Sequence, residues 1–357
     1  MIEDCIIMGD LENIYRRDIP WNRLKSSTVL VTGAYGMLAS YVVYLLLYLN
    51  RYHDMGIHII AVVRSEEKFE KRFGRFAHDP FVTVYTAPIE GPLSVDGSVD
   101  YIFHAASIAN PQYYALCPVD VLKPNVLDNY QLLELARKKN TKGFLFFSSG
   151  DVYGKVERDD TIKEDSVGTL DPLDVHSCYG ESKRMAETMC CAYFRQYGVP
   201  IKLLRIWHTY APTMNIETDP RVFASFMRNL VHGENIAMQS DGSACRAFCY
   251  IADAVAAFFT ILFYGANGEA YNVCNTSAFC TIREFAQSVV LVRKDLALKV
   301  ITKERPAGDT YIENDRANFC PPCDQKLKRL GWRPEYTLEE GLERVYDFIT
   351  RRATGDQ

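Results

Sequence analysis

A tyrosine and a lysine stand four residues apart in the segment SCYGESKRM, which spans residues 177–185. At this spacing in a helix, Tyr179 and Lys183 lie on one face, so an ammonium group can sit beside a phenol. A nearby positive charge favours the deprotonated phenol and prepares it to take a proton from an alcohol. Such a pair also occurs by chance in amphipathic helices, so the rest of the chain must support the chemistry.

A serine earlier in the chain completes the set of residues that alcohol oxidation requires. The segment FFSSGDVYG at 146–154 ends an apolar run and places Ser148, Ser149 and Asp151 at its carboxyl end. Serines in that position are often only turn formers. Beside the tyrosine and the lysine, however, Ser149 provides a hydroxyl that can hold the substrate oxygen while the phenol takes the proton. The sequence therefore predicts oxidation of a secondary alcohol.

The elements that must position these residues alternate regularly between residues 28 and 206. Short apolar runs predict strands at 28–33, 57–63, 99–107, 143–149 and 201–206, and longer patterns predict helices near 37–53, 119–139 and 180–197. Strands that are apolar throughout and alternate with helices indicate a parallel sheet that is covered on both faces. Ligands bind such sheets beyond the carboxyl ends of the strands, which is where the reactive residues fall.

A glycine-containing turn follows the first predicted strand, in TGAYGMLAS at 32–40. Gly33 and Gly36 let the backbone turn tightly and approach a pyrophosphate, whose charge the helix N-terminus stabilises. Ala39 takes the place of a third glycine and is small enough to keep helix and sheet close. A tight turn needs glycine in any case, but its position in the first βαβ unit favours a dinucleotide cofactor.

The second predicted strand ends at Arg64, where an acidic residue that binds the adenosine ribose is usual. An arginine in this position can pair with a 2′-phosphate, which favours NADP, or its guanidinium can lie over the adenine ring. It can equally be a solvated surface residue. The residues alone leave these alternatives open.

Composition argues against several classes of protein. The chain has 357 residues, of which 48% are hydrophobic and 24% charged, as in ordinary globular proteins. A net charge of -5 gives no basic surface for nucleic acid. The longest apolar run, at 38–49, is too short to span a bilayer, and the first ten residues lack the basic region of a signal peptide. Eleven scattered cysteines predict a cytoplasmic protein with reduced thiols, and no cluster of ligands predicts a metal site.

These motifs together resemble the extended short-chain dehydrogenase/reductase family that modifies nucleotide sugars. The resemblance runs from about residue 28 to about residue 342 and includes HAAS, YGESK and RAFCYIADAV, at 104–107, 179–183 and 246–255. Within the family, the chain is most similar to the UDP-glucuronate decarboxylases and next to the dTDP-glucose 4,6-dehydratases. The segments that carry this similarity are ANPQYYALCPVDVLKPN, CYGESKRMAETMCCAY and RIWHTYAPTM, at 109–125, 178–193 and 205–214.

The resemblance implies a role for each candidate site residue. The catalytic residues would be Tyr179, Lys183, Ser149 and Asp151. The cofactor would contact Gly33, Ala34, Tyr35, Gly36, Met37, Arg64, Ile89, Ala105, Ala106, Ser107 and Ser148, together with Tyr179 and Lys183. The nucleotide sugar would contact Tyr114, Asn125, Thr209, Arg221 and Arg246, the two arginines at its diphosphate. His104 and His208 are interpreted as packing residues. The family cofactor is NAD, while Arg64 leaves NADP open.

Three departures from the family pattern concern the step that follows oxidation. Gly150 stands where the 4,6-dehydratases carry a catalytic aspartate, Asp151 where both subfamilies carry glutamate, and Thr213 where the decarboxylases carry arginine. The leading hypothesis is therefore transient oxidation at C4 of a UDP-hexuronate followed by decarboxylation. The alternatives are 4-epimerisation, 4,6-dehydration, simple 4-dehydrogenation or reduction, and a non-catalytic NAD(P)-binding sensor or scaffold.

The chain is expected to fold as a Rossmann-type doubly wound α/β sheet with a smaller C-terminal α/β lobe that binds the nucleotide sugar. The first part comprises 27–211 with a return at 246–275, the lobe comprises 212–245 and 276–357, and residues 1–26 form an N-terminal extension. A homodimer is predicted through helices 122–139 and 179–197, whose apolar residues exceed one core-facing stripe. Examples are Leu132, Leu133, Leu135 and Ala136 in the first helix and Met185, Met189, Cys190 and Tyr193 in the second.

Overall fold

The centre of the protein is a parallel β-sheet. The computed structural model describes residues 3–86, 93–156, 161–303 and 320–354. The strands in these ranges are β1 (Thr28–Thr32), β2 (His58–Val63), β3 (Val82–Thr86), β4 (Tyr101–His104), β5 (Gly143–Ser149), β6 (Ile201–Ile206), β7 (His208–Tyr210), β8 (Ile236–Met238), β9 (Cys245–Tyr250), β10 (Glu269–Val273), β11 (Phe279–Thr281) and β12 (Val300–Thr302). Seven of these strands form one parallel sheet in the order β10, β6, β5, β4, β1, β2, β3.

The strand order reverses at β1, which pairs with β2 on one side and with β4 on the other. In open α/β sheets this reversal creates a crevice beyond the carboxyl ends of the strands, and ligands bind there. The five strands expected from the sequence are present in the sheet. The sequence analysis missed β3, so the strand that ends at Ser149 is the fifth in the chain and not the fourth.

Helices cover both faces of the sheet. They are α1 (Cys5–Arg16), α2 (Met37–His53), α3 (Glu66–Phe73), α4 (Gln112–Leu116), α5 (Pro118–Lys123), α6 (Asn129–Lys139), α7 (Cys178–Tyr197), α8 (Val222–Val231), α9 (Ile251–Tyr264), α10 (Ile282–Val292), α11 (Gln325–Lys328) and α12 (Leu338–Thr354). One core cluster contains the buried side chains of α2 and α9, and a second contains those of α6 and α7. The expected doubly wound α/β fold is therefore confirmed. No helix within the described ranges is both long and apolar enough to cross a bilayer.

The helix expected at 119–139 is interrupted. A π-helical turn at Pro124–Asp128 separates α5 from α6. Proline lacks an N–H group and its ring crowds the preceding turn, so a regular α-helix does not continue through residue 124. The prediction that the apolar side chains of these helices form a dimer surface is wrong for most of the examples. Five of them are buried within the protomer beside the sheet: Leu132, Leu133, Leu135, Ala136 and Cys190. Of the remaining examples, Met185 is exposed, while Met189 and Tyr193 are partly buried.

A smaller region beyond β6 contains two further sheets. β7 lies parallel to β9, and β9 lies antiparallel to β11. β8 and β12 form a parallel pair. β10, which follows α9 in the chain, lies at the edge of the large sheet, beside β6. The division of the chain into two lobes remains an interpretation of the sequence.

Residues near the N-terminus pack onto the body of the protein. α1 packs against α9 and α2, and a short 3₁₀ helix follows at Trp21–Leu24. The indole of Trp21 is buried, donates a hydrogen bond to the carbonyl oxygen of Tyr15 at 2.8 Å, and lies 5.2 Å from the ring of Phe259. The N-terminal segment, interpreted from the sequence as an extension, is therefore part of the main hydrophobic core.

A buried carboxylate joins this N-terminal helix to the C-terminal helix. Asp10 is fully buried in α1 and accepts hydrogen bonds from the hydroxyl groups of Tyr41 and Tyr250, at 3.1 and 2.9 Å. The guanidinium of Arg344, in α12, lies 2.6 Å away. Burial raises the pKa of Asp10 to about 6, and the charge of Arg344 opposes that rise. Asp10 thus ties α1, α2, β9 and α12 together.

We predict that Asp10→Ala lowers the free energy of unfolding by about 3 kcal/mol, because it leaves the guanidinium of Arg344 and two buried hydroxyls without their acceptor. Urea unfolding followed by circular dichroism measures this loss. Glu12→Ala is the matched control in the same helix, since Glu12 forms an exposed ion pair with Arg16. Equal losses in the two variants would contradict the structural role of Asp10.

Candidate functional site

The turn between β1 and α2 brings the backbone close to the end of β4. Gly33 has a φ of +64°, and a Cβ atom there would lie 2.9 Å from the Cα of Ala106. Only glycine fits this combination of conformation and close approach. The N–H of Gly36 donates to the carbonyl oxygen of Gly33 at 2.7 Å, and Gly36 caps α2. Ala34, Tyr35 and Met37 occupy the same turn, so the predicted pyrophosphate residues lie at the N-terminus of a long helix.

A histidine braces this turn from the end of β4. The Nδ1 of His104 lies 2.9 Å from the hydroxyl of Thr32, and its Nε2 lies 3.0 Å from the carbonyl oxygen of Pro124. Because a carbonyl oxygen only accepts, Nε2 carries the proton. Burial lowers the pKa of His104 to about 3, so the ring is neutral. The interpretation of His104 as a packing residue agrees with these contacts.

The segment after β4 contains a buried hydroxyl group without a hydrogen-bond partner among the described residues. The N–H of Ala106 donates to the hydroxyl of Thr32 at 3.1 Å, which fixes Ala105 and Ala106 beside the glycine turn. The hydroxyl oxygen of Ser107 is buried and has no hydrogen-bond partner among the described residues. A buried hydroxyl without a partner is costly, and a cofactor oxygen would satisfy it. These residues therefore fit a bound dinucleotide.

The predicted catalytic pair, Tyr179 and Lys183, lies in the first turns of α7. Lys183 is almost completely buried, and its Nζ donates to the carbonyl oxygen of Phe147 at 2.6 Å. The same nitrogen lies 5.7 Å from the ring centre of Tyr179. Burial lowers the pKa of Lys183 to about 7, and the charges of Glu187 and Asp151 oppose this. An ammonium with a lowered pKa beside a phenol is the arrangement that the spacing predicted.

The phenol of Tyr179 faces both the serine and the acid of the neighbouring turn. Burial and then the charge of Asp151 raise the pKa of Tyr179, whereas a hydrogen bond with Ser149 and the charge of Arg221 lower it. The ring of Tyr114 stacks on that of Tyr179 at 5.2 Å, with an angle of 11° between the rings. The structure thus gathers the predicted proton acceptor, its serine and one predicted substrate residue.

Asp151 follows β5 in a short 3₁₀ helix, Gly150–Tyr153. Its N–H donates to the hydroxyl of Ser149 at 3.2 Å. The side chain opens to solvent in the cleft, yet the protein on either side withdraws enough water to raise its pKa. The charges of Arg246 and Lys183 oppose this rise. Asp151 is therefore placed between the catalytic lysine and one predicted phosphate-binding arginine.

Ser148 points away from this cleft, which corrects its assignment as a cofactor contact through its side chain. Its hydroxyl is buried and donates to Glu187 at 2.6 Å. Successive residues of a strand face opposite sides, so Ser149 and Ser148 cannot both face the ligand. Glu187 also forms two hydrogen bonds with Arg205, at 2.7 and 3.0 Å. Sequence reasoning missed this ion pair, although Glu187 stands one helical turn after Lys183.

Both predicted arginines lie close to the catalytic residues. Arg221 begins α8 and forms an ion pair with Asp219 at 2.5 Å, while its charge lowers the pKa of Tyr179. Arg246 lies in β9, and its charge acts on Asp151 and on His208. Two guanidinium groups near the acid and the phenol are suited to an anionic ligand.

Adjacent residues of β7 face opposite sides, so His208 and Thr209 have different surroundings. Thr209 is buried, and its hydroxyl donates to the carbonyl oxygen of Trp207 at 3.3 Å. His208 is exposed, yet loss of water to the surrounding protein and then the charges of Arg246 and Arg221 lower its pKa to about 3. The interpretation of His208 as a packing residue is therefore wrong, while the contact of Thr209 with the nucleotide sugar stays a prediction.

Asn125 lies below the first turn of α7. It is fully buried, and its amide nitrogen donates to the carbonyl oxygen of Val121 at 3.1 Å and to the hydroxyl of Ser182 at 2.9 Å. Ser182 in turn donates to the carbonyl oxygen of Tyr179 at 2.8 Å. The side-chain oxygen of Asn125 is buried and has no hydrogen-bond partner among the described residues. Asn125 therefore supports the first turn of α7, and its contact with the nucleotide sugar stays a prediction.

The adenosine end of the crevice contains an acid that the sequence analysis missed. Arg64 follows β2 and is exposed. Asp128, in the π-helical turn, is partly buried, and burial raises its pKa to about 6 while the charge of Arg64 lowers it. The two side chains therefore interact electrostatically. Ile89, which was assigned to the cofactor, lies outside the described residues.

Comparisons with known proteins agree with this geometry. The model of the NAD dependent epimerase/dehydratase family matches residues 29–274. UDP-glucuronic acid decarboxylase 6 of Arabidopsis thaliana is 31% identical over 318 residues, which are 88% of this chain and 86% of the relative. The structural neighbours include the UDP-glucuronic acid 4-epimerase of Bacillus cereus in complex with NAD, at 21% identity and a TM-score of 0.73. This match covers 92% of this chain and 98% of the epimerase.

A second structural neighbour is a dTDP-glucose 4,6-dehydratase of Streptomyces venezuelae, solved with NAD bound. It is 22% identical, with a TM-score of 0.75, and the match covers 92% of this chain and 98% of the dehydratase. At these identities the two structures establish the fold alone. The family match and the plant relative confirm the resemblance that the sequence motifs carried. The chain belongs to the NAD-dependent epimerase/dehydratase family.

Proposed function

We propose that the protein oxidises C4 of a UDP-hexuronate transiently and decarboxylates the resulting keto sugar. The observation that carries this proposal is the buried Lys183 beside Tyr179, with Ser149 close to the phenol. The curated relatives, which are UDP-glucuronic acid decarboxylases, favour this second step over the alternatives.

The first step requires a hydride acceptor, which bound NAD supplies. Gly33 and Gly36 would hold its pyrophosphate, and Ser107 would offer it a hydroxyl. Tyr179 takes the proton from the C4 hydroxyl, because the positive charge of Lys183 stabilises the phenolate. Ser149 holds the same substrate oxygen. The C4 carbon thereby becomes a ketone.

The second step follows from the position of the carboxylate. Once C4 is a ketone, the C6 carboxylate is β to a carbonyl group. The bond between C5 and C6 breaks, its electron pair moves into the C4 carbonyl as an enolate, and carbon dioxide leaves. Ser149 and Asp151 orient the sugar, and Tyr179 or a water molecule returns a proton to C5. The hydride then returns to C4 and gives a pentose nucleotide.

Gly150 favours decarboxylation over dehydration. Loss of water across C5 and C6 requires an acid that protonates the leaving hydroxyl. Gly150 has no side chain that could donate this proton. Decarboxylation needs no such acid, because carbon dioxide leaves without a proton.

The positive charges around the cleft suit the anionic diphosphate of a nucleotide sugar. Arg221 and Arg246 offer planar forks of donors for the diphosphate. His208 lies between the fields of these two arginines and stays neutral, so it can donate or accept a hydrogen bond without adding charge. We propose it as a third polar contact with the nucleotide sugar.

We predict that purified protein converts UDP-glucuronate to a product whose mass is lower by one carbon dioxide, measured by mass spectrometry beside a parallel reaction with dTDP-glucose. Tyr179→Phe removes only the phenol oxygen, so it should abolish turnover and leave NAD and nucleotide-sugar binding nearly unchanged.

Other products would identify the alternatives. Water lost from dTDP-glucose without carbon dioxide loss from the uronate would identify a 4,6-dehydratase, and a product of unchanged mass a 4-epimerase. Release of one reduced cofactor for each sugar oxidised would identify a 4-dehydrogenase. Binding of the nucleotide sugar without any conversion would identify a non-catalytic NAD(P)-binding sensor or scaffold. Full turnover by Tyr179→Phe would refute the tyrosine mechanism.

We propose NAD as the cofactor, with Arg64 as the residue that permits NADP. The carboxylate of Asp128 competes with a 2′-phosphate for Arg64 and repels that phosphate, which favours NAD.

We predict that Arg64→Asp weakens NADP binding about tenfold more than NAD binding, since a charged hydrogen bond to phosphate is lost and a repulsion is added. Isothermal titration calorimetry with both dinucleotides measures the ratio. Lys71→Asp, an exposed charge reversal in α3, is the control. Equal weakening of the two cofactors in Arg64→Asp would mean that Arg64 does not reach the ribose phosphate.

We also propose that the protein is a homodimer in a cytoplasmic, reducing environment. Its eleven cysteines are free thiols. The face formed by α4 to α7 exposes large apolar side chains, namely Leu116, Val119, Leu127, Tyr130 and Met185. Such a concentration on one face is typical of an interface between two copies.

We predict that Met185→Glu converts the dimer to a monomer in sedimentation velocity at micromolar protein concentration, because it places a charge in the apolar contact. Leu291→Glu in α10 is the matched control, since Leu291 has nearly the same exposed fraction, 54% against 51% for Met185. A wild-type protein that sediments as a monomer would refute the proposal.

A further inference from the structure

A tryptophan lies directly against the glycine of the catalytic turn. A Cβ atom built on Gly150 would lie 3.0, 3.1 and 3.3 Å from three ring atoms of Trp207. Gly150 does not have a positive φ, so its backbone conformation would admit other residues. The contact with the indole is therefore what requires glycine at residue 150.

The indole itself is held by a buried asparagine. The Nε1 of Trp207 donates to the Oδ1 of Asn272 at 3.1 Å, and the hydroxyl of Tyr153 donates to the same oxygen at 2.7 Å. The amide nitrogen of Asn272 donates to the carbonyl oxygens of Ile162 and Cys323, at 3.0 and 3.1 Å. All hydrogen-bonding positions of this side chain are filled. Since Asn272 is fully buried, Trp207 has a fixed support.

The opposite side of the catalytic turn is attached to the catalytic helix. Arg184 directly follows Lys183 in α7 and donates to the carbonyl oxygens of Val152, Tyr153 and Gly168, at 2.7, 3.3 and 2.9 Å. The turn at 150–153 is thus held between the guanidinium of Arg184 and the indole of Trp207.

The residues flanking Gly150 do not depend equally on this support. Ser149 is the last residue of β5 and pairs with Ile206 of β6, so the sheet holds it. Asp151 lies beyond the sheet, where it follows the Gly150 that contacts Trp207, and its N–H donates to the hydroxyl of Ser149 at 3.2 Å. Tyr179 and Lys183 are held by α7 and by the carbonyl oxygen of Phe147.

We propose that Trp207 is a positioning residue that fixes Asp151 for the step after C4 oxidation and excludes any side chain at residue 150 from the site. The identity of that step rests on the proposed function. Trp207 itself acts through Gly150, and the oxidation step, which Tyr179 and Lys183 perform, does not require it.

The test is a double-mutant cycle between Gly150→Ala and Trp207→Leu, measured with whichever nucleotide sugar the wild type converts. Gly150→Ala should lower kcat roughly 10- to 100-fold, because the added methyl group must shift the turn or the indole by a few tenths of an ångström beside a reacting group. KM for the nucleotide sugar and Kd for NAD should stay nearly unchanged. Adding Trp207→Leu should raise kcat about tenfold over Gly150→Ala alone, since contacting residues couple non-additively.

A spectroscopic signature separates positioning from general loosening of the fold. If the oxidation step survives, Gly150→Ala mixed with NAD and substrate should accumulate the near-ultraviolet absorbance of reduced nicotinamide, which the wild type does not accumulate. Trp332→Phe is the control, because Trp332 is buried and its Nε1 donates to the carbonyl oxygen of Asp253 at 2.9 Å. If Gly150→Ala does not fold, Trp207→Phe, which replaces the indole by a single ring and removes the bond to Asn272, should show a smaller version of the same signature.

Several outcomes would overturn the proposal. These are wild-type kcat in Gly150→Ala, a double variant no faster than Gly150→Ala, an equal loss in Trp332→Phe, and no accumulation of reduced nicotinamide in either Gly150→Ala or Trp207→Phe. The product that the wild type forms decides the proposed function separately. The cycle compares each variant with the wild type on the same substrate, so either proposal can fail while the other stands.

Discussion

The burial of one ammonium group is the constraint on which the active site depends. Lys183 is 1% exposed, and an amine taken out of water loses its proton more easily unless other groups compensate. The carbonyl oxygen of Phe147 accepts one of its hydrogen bonds, and Glu187, one turn along α7, provides the largest compensating charge. Glu187 is itself held by Arg205 of β6 and Ser148 of β5. The adjacent strands β5 and β6 therefore maintain the charge that the chemistry requires.

The same arrangement explains why neighbouring residues have separate tasks. Ser148 faces the ion pair that supports Lys183, whereas Ser149 faces the phenol of Tyr179. Strand alternation alone produces this division, since the two serines point to opposite sides of β5. The side of the strand that carries Ser148 thus supports the charge of Lys183 through Glu187, and the side that carries Ser149 faces Tyr179.

The parts of the site that the sequence predicted are those that depend on local spacing. Tyr179 and Lys183 are related by one helical turn, and Gly33 and Gly36 by one tight βα turn, so their geometry follows from the element alone. His208 was assigned wrongly because the side that it faces depends on how the short strand β7 meets β9. The acid near Arg64 was missed because Asp128 reaches it from a different element.

The fold follows the same division between local and distant information. The apolar strands β1, β4, β5 and β6 are buried along most of their length, and their composition identified them. β3 lies at the edge of the large sheet and is only partly buried, so its residues lack that signal. The packing of helix α1 could not be predicted from its own sequence, because the charged partner of its buried Asp10 is Arg344, near the other end of the chain.

The residues that adjust this site to one reaction need not touch the substrate. Gly150, Arg184 and Asn272 contribute no reactive group, yet each determines where the catalytic turn lies. A residue at position 150 is constrained by Trp207, which follows β6, and Trp207 is constrained by Asn272 of β10. A larger side chain at residue 150 therefore requires compatible changes around Trp207 and Asn272, which are distant from it in the sequence. An acidic side chain at residue 150, which dehydration would require, is therefore opposed by the packing of Trp207.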